Sequence, residues 1–288
     1  MAFMPGMQPD FVATGVPVSL ASGATITDKL RMFLGHYDLR VFVSDAGYID
    51  IGRGSFDAAS RLAFVQKTYV GCFGTVGQFC DFSESCLLFA GGEHRNDLPI
   101  NVTLSSVPAF HVIAAKHGIQ DFHAQPPRPF HIGDAVVLSA EAKLLNGARV
   151  GSGTLLAAAT VASGELEPFA IYGGVPARKI RDRVSDPVKD LMAQVRWWDF
   201  DITYLGNHLA QLQALSTDTT AVHVYRTPAP RFVLKMTVPQ DPKAAVQILG
   251  FLQDEVIRPL TDAPQIVRDY VMQLAGPGPY RWMPNVWE

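Results

Sequence analysis

Aliphatic residues return at every sixth position along much of this chain, and few folds tolerate such a period. In IGDAVV, LSAEAK, LLNGAR, VGSGTL and LAAATV the leading residues are Ile132, Leu138, Leu144, Val150 and Leu156. The fifth residue of each hexad is small or β-branched: Val136, Ala142, Ala148, Thr154 and Thr160. A helix repeats at 3.6 and a half-buried strand at 2.0, so neither explains a spacing of six. Short flat faces of one hexad each do, three to a coil, wound into a parallel β-helix. Ile132 is then predicted to stack on Val150, and Leu138 on Leu156, with the fifth-position side chains turned inward near the corners. Glycines just after leading aliphatics, such as Gly71, Gly77, Gly133 and Gly151, are expected to ease the turns. Two positional rules obeyed at once by ungapped hexads leave little room for chance.

A weaker series precedes this one, running Phe64, Val70, Val76, Phe82 and Leu88, with Cys80 and Cys86 on its small positions. YIDIGRG reads as an irregular first coil, and ITDKLRMFLGHY, residues 26 to 37, as a helix closing the open end. From Leu88 to Ile132 is 44 residues, not a whole number of coils, so the chain leaves the helix and returns. The excursion, 91 to 131, is rich in glycine, proline and histidine, and long loops on rigid scaffolds tend to carry function.

After Val161, Pro168 and the pair Gly173–Gly174 are expected to end the regular stacking, followed by the basic run ARKIRDR. DPVKDLMAQVRWWDFDITYLGNHLAQLQAL reads as helical, with Asp186 as N-cap and Pro187 as its first residue. Its apolar stripe (Leu191, Val195, Trp198, Leu205, Leu209) is expected against the coil exterior. VHVYR and RFVLKMTV alternate as strands, while DPKAAVQILGFLQDEVIRPL and APQIVRDYVMQLAG read as helices. The organisation expected is therefore a cap region over 1–47, a β-helix domain over 48–184 and a packed helical segment over 185–215. A small α+β extension follows over 216–288.

Charged residues make up 18% of the chain and the net charge is −3, which argues against a nucleic-acid surface. No uninterrupted apolar run is long enough to span a bilayer, and the N-terminus lacks the basic start of a secretory signal. Cys72, Cys80 and Cys86 read as buried thiols of a reducing compartment, although a disulfide between two of them stays open. Cytoplasm is the expected location.

With the hexads, GGEHRND, YGGVPARKIRDR and RWWDFDI in view, the chain resembles the hexapeptide-repeat acyltransferases. It is similar in particular to their xenobiotic branch of streptogramin and hexapeptide-type chloramphenicol acetyltransferases, over roughly residues 48 to 212. The resemblance implies an all-β core, a left-handed parallel β-helix of hexapeptide repeats, with an excursion loop and C-terminal helices. It implies a homotrimer with active sites between subunits. It implies acetyl-CoA as co-substrate, a small hydroxylated molecule or sugar as acceptor, and no metal. It places the family's catalytic histidine on His94 and its paired tryptophans on Trp197 and Trp198. Coenzyme contacts fall on Ser139, Ala157, Ala158, Ala159, Pro176, Ala177, Arg178, Lys179 and Arg181, with Arg183 a further phosphate partner. The chain departs from the family at Val137, where tryptophan is usual, at Ser139 and Glu141, where glycines are, and at Val175, where asparagine is.

Acyl transfer from a thioester needs a base that is neutral near pH 7, and imidazole suits that role. No acyl-enzyme is required, so no cysteine need act as nucleophile. Glu93, Asn96 and Asp97 stand close enough in sequence to orient the ring, and His111 to shape an acceptor pocket. Two other classes remain open. His117 and His123, with His94 or His111, could hold zinc as in a carbonic anhydrase. A scaffold that has lost coenzyme binding would instead keep only a binding or assembly role.

Overall fold

The computed structural model describes residues 16–17, 36–63, 65, 69–91, 108–117, 127–213, 224–226, 231–236, 246–253 and 255–258. Its strands are short because a hexad leaves only a few residues between corners. β1 (Val16–Pro17) and β2 (Leu39–Phe42) precede the coils. The first coil is irregular, as expected: β3 (Gly47–Ile51), a 3₁₀ turn over Phe56–Arg61, and β4 (Leu62–Ala63). β5 (Gly71–Val76), β6 (Asp81–Phe82) and β7 (Leu87–Phe89) form the next. After the excursion come β8 (Phe130–Ile132), β9 (Val137–Leu138) and β10 (Lys143–Leu144), then β11 (Arg149–Val150), β12 (Leu155–Leu156) and β13 (Val161–Ala162). β14 (Glu165–Leu166) and β15 (Ala170–Gly173) complete the stack, and β16 (Arg178–Asp182) turns back along it.

These strands sort into three faces of a left-handed parallel β-helix. The first face holds β3, β5, β8, β11 and β14; the second β6, β9, β12 and β15; the third β4, β7, β10 and β13. Ile132 pairs with Val150 and Leu138 with Leu156, as the period requires. Val136, Ala142, Ala148, Thr154 and Thr160 are fully buried, and the leading aliphatics from Ile132 to Leu156 are at most 4% exposed. Of the two threonines among them, Thr154 donates to the carbonyl of Glu167 at 2.7 Å, whereas the Thr160 hydroxyl finds no partner among the described residues. Such burial of one continuous apolar column holds the coils together.

Several expectations are corrected. Val70 is 58% exposed and leads no hexad; the interior position in that coil is Phe73. Phe64 and the helix expected over 26 to 37 lie outside the described residues, apart from the turn that begins at His36. Gly77, Gly133 and Gly151 do not adopt left-handed backbone; they sit where consecutive coils nearly touch. A Cβ on Gly133 would lie 2.6 Å from the Ser152 nitrogen, and one on Gly151 2.4 Å from that of Pro168. Of the four glycines expected at turns, Gly71 alone takes positive φ; the left-handed corner residues are Phe79, Ala135, Glu141, Ala159 and Phe169 together with Gly54, Gly147, Gly153 and Gly164. Pro168 does not end the stack either. β14 and β15 continue it on a shorter coil, pairing Glu165 with Arg149 and Ile171 with Leu155, and only at Gly173–Gly174 does the chain reverse.

The excursion contains α1 (Pro108–His117). Beyond the coils α2 (Asp186–Val195) starts from Ser185 as N-cap rather than Asp186, and α3 (Ile202–Gln213) follows a 3₁₀ turn over Trp197–Asp199. That turn is clamped by Arg53, whose guanidinium donates to the carbonyls of Trp198 (2.7 Å) and Phe200 and to Gln78 Oε1 (3.0 Å). β17 (Arg231–Met236) forms as the alternation predicts. The expected helix over 241 to 260 is instead β18 (Val246–Gln253) and β19 (Val256–Arg258). β18 pairs with β17, which lies parallel to β2, so the C-terminal strands extend the first face past the initial coil. Tertiary pairing overrides helix propensity there. The helix expected over APQIVRDYVMQLAG lies outside the described residues. Among the described residues no helix is long and apolar enough to cross a membrane.

Candidate active site

A three-faced coil has three corners, and each carries something different. Between the second and third faces, Ser139, Ala157 and the Gly174–Ala177 turn lie one above another. The Ser139 amide donates to Leu156 O (3.0 Å), that of Ala157 to Tyr172 O (2.9 Å) and that of Ala159 to Ala140 O (2.8 Å). Gly174 O accepts from Val161, and Ala177 donates to Val161 O, so the last turn caps the same corner. The result is a ledge of small residues, with Ala158 and Ala159 exposed and Ser139 half-buried. Two of the three alanine amides are thus committed to coil–coil bonds; that of Ala158 makes none among the described residues. A ligand along this corner meets methyl groups and one free amide.

The basic run does not gather at the ledge. It lies along β16, antiparallel to β15, with Arg178 opposite Gly173 and Arg181 opposite Ile171. Arg178 and Pro176 stand exposed at the ledge end. Lys179 is engaged by Glu167 (2.7 Å) and Asp182 (2.8 Å), and those two hydrogen-bonded carboxylates hold its ammonium above the usual lysine range. Arg181 donates to Asp182 O. Arg183 reaches the far corner, where its guanidinium donates to Gly153 O. Of the proposed phosphate partners, therefore, Arg178 is the cation at the ledge whose charge no carboxylate pairs among the described residues.

The excursion springs from the corner between the third and first faces, leaving after Phe89 and returning at Phe130. His94 follows Gly91 by three residues and lies outside the described residues, as do Glu93, Asn96, Asp97 and His123. His117 is exposed on the last turn of α1. Among the described residues no cluster of three or more His, Cys, Asp or Glu side chains suits a metal ion. An imidazole that the sequence reading did not single out, His131, stands where the excursion returns. The alternation of Phe130, His131 and Ile132 turns it outward, and its Nδ1 lies 2.9 Å from Thr75 Oγ1. Desolvation and the neighbouring Arg149 lower its pKa, which favours the neutral ring.

All three cysteines are free thiols. Burial pushes Cys80 and Cys86 up to about 11 and raises Cys72 as well, so none is poised as a thiolate near neutral pH.

The family-model comparison returned no match. A chloramphenicol acetyltransferase of Klebsiella aerogenes is 28% identical over 180 residues, 59% of this chain and 79% of that protein. The chloramphenicol acetyltransferase of Agrobacterium fabrum (strain C58 / ATCC 33970) is 27% identical over 204 residues, 70% of this chain and 86% of its own. Among solved structures, a galactoside acetyltransferase in complex with coenzyme A overlaps 49% of this chain and 57% of its own. Its TM-score is 0.27 at 16% identity. The chain is thus similar, over most of their length, to these two chloramphenicol acetyltransferases, and its hexad column and three faces are those that the resemblance to the hexapeptide-repeat acyltransferases implies.

Proposed function

We propose that this protein transfers an acyl group, acetyl foremost, from coenzyme A to a hydroxyl of a small acceptor such as a sugar or a hydroxylated metabolite. The observation that carries this reading is the corner ledge of Ser139, Ala157, Ala158 and Ala159, which suits an extended pantetheine arm. Two relatives named chloramphenicol acetyltransferases match over most of their own length. Pro176 and Ala177 close the end of that ledge. Arg178 and Arg181 each donate to a backbone carbonyl, of Ala177 and Asp182, and keep further N–H groups for a phosphate; Lys179 serves it only by exchanging Glu167 and Asp182.

Coenzyme A supplies the thioester; the chain supplies position and a proton acceptor. His94, on the excursion, takes the acceptor's hydroxyl proton as that oxygen attacks the thioester carbonyl. The C–S bond then breaks, and the proton passes to the departing thiolate. Direct transfer fits thiols whose pKa values are raised by burial. The third face lies between the ledge and the root of the excursion that carries His94 in sequence. A homotrimer brings a neighbouring chain against that surface, and a reducing cytoplasm suits three unpaired cysteines.

An acceptor panel with acetyl-CoA, containing chloramphenicol, simple sugars and a lysine peptide and read by free-thiol release, tests the proposal. Saturable turnover with a hydroxylated small molecule is expected. Turnover with the peptide amine alone overturns it.

A further inference from the structure

The remaining corner, between the first and second faces, carries a cavity that acyl transfer does not use. It measures about 510 Å³ and lies, partly open to solvent, between the coil corner and the two C-terminal helices. Phe79, Val137 and Phe169 line it from the coils; Met192, Trp197 and Leu212 line it from the helical side. That volume falls in the roughly 300–1,000 Å³ range of small-molecule sites. No residue of α2 is buried and Leu209 is 51% exposed, so the helices leave apolar side chains facing this space instead of closing it.

Its polar groups have one character. Arg183 is anchored at this corner by its amide, which donates to Phe169 O, and by its guanidinium, which donates to Gly153 O. It has no carboxylate partner among the described residues, unlike Lys179, Lys189 and Arg196. Desolvation lowers its pKa, and no carboxylate offsets that. Trp198, 2% exposed, also lines the cavity, and its indole N–H has no acceptor among the described residues. The site offers a cation, the Trp198 indole N–H and the Gln213 amide, with no carboxylate among the residues that line it.

We infer that this cavity binds an amphipathic monocarboxylate, its tail among Phe79, Val137, Phe169 and Met192 and its carboxylate at Arg183. The site lies at the opposite end of the second-face strands from the Ser139–Ala159 ledge, so the ligand leaves that ledge open.

The test is isothermal titration calorimetry of the full-length protein with decanoate, decanol and decylamine, each below its aggregation threshold. Decanoate is expected to bind saturably at one per chain, at least about tenfold more tightly than decylamine, the effect of a single charge-assisted contact. Arg183→Gln should weaken decanoate by about tenfold and leave decanol unchanged; Met192→Trp, which fills the cavity, should abolish both. Circular dichroism on each variant checks folding, and if one unfolds, the wild-type ranking of decanoate against decylamine still decides. Absent or non-saturable decanoate binding, equal binding of decylamine, or retained affinity in a folded Arg183→Gln or Met192→Trp variant overturns the inference.

Discussion

A glycine can serve a corner in two ways, and the sequence does not say which. Gly77, Gly133 and Gly151 were expected to ease turns, yet each stands where the next coil's backbone passes within about the reach of a Cβ. Both needs read identically as glycine. Of the residues that do take left-handed backbone, Gly147 and Gly153 carry the usual signal, while Ala135 and Glu141 carry none that composition would show. Gly133→Ala separates the two readings. Its Cβ would meet Ser152 at 2.6 Å, so coils must part, costing about 1–3 kcal/mol by overpacking. A denaturant midpoint equal to wild type would contradict close approach. The inward fifth positions, by contrast, were legible residue by residue, because small side chains at a fixed offset have no other explanation.

At the scale of elements, local pattern succeeded where the element stands alone and failed where its neighbour decides. RFVLKMTV alternates and forms β17. Residues 246 to 253 carry a helix-like run of apolar residues, but the open edge of β17 recruits them as β18. The basic run looked like one phosphate-binding patch; antiparallel pairing with β15 spreads it across a face, and Glu167 and Asp182 claim Lys179. The helical tail is fastened through two buried side chains, Arg53 on the carbonyls of Trp198 and Phe200 and Gln78 on Asp199, which no sequence pattern marks. Arg53→Met should leave the carbonyls of Trp198 and Phe200 without their donor, costing about 1–3 kcal/mol. Limited proteolysis should then cut between residues 186 and 213 faster than in wild type. Unchanged cleavage there would show that α2 and α3 are held by other contacts.

For the whole molecule, the period of six was enough to give the faces, the stacking register and the point where the chain departs. It could not give what each corner does, because that depends on which coils the excursion and tail lie beside. The three corners now read as ledge, excursion root and apolar cavity. Sedimentation equilibrium at micromolar concentration should give three chains per particle; a monomer would separate the ledge from any neighbouring excursion and refute the shared site. The most direct measurement compares wild type and His94→Ala in acetyl-CoA turnover with the true acceptor, alongside coenzyme A affinity by calorimetry. Turnover should fall by about a hundredfold or more while coenzyme affinity stays within about twofold, since the proposed coenzyme contacts lie on the coils. Near-normal turnover in His94→Ala would contradict the account and turn attention to His131, the imidazole at the excursion's return.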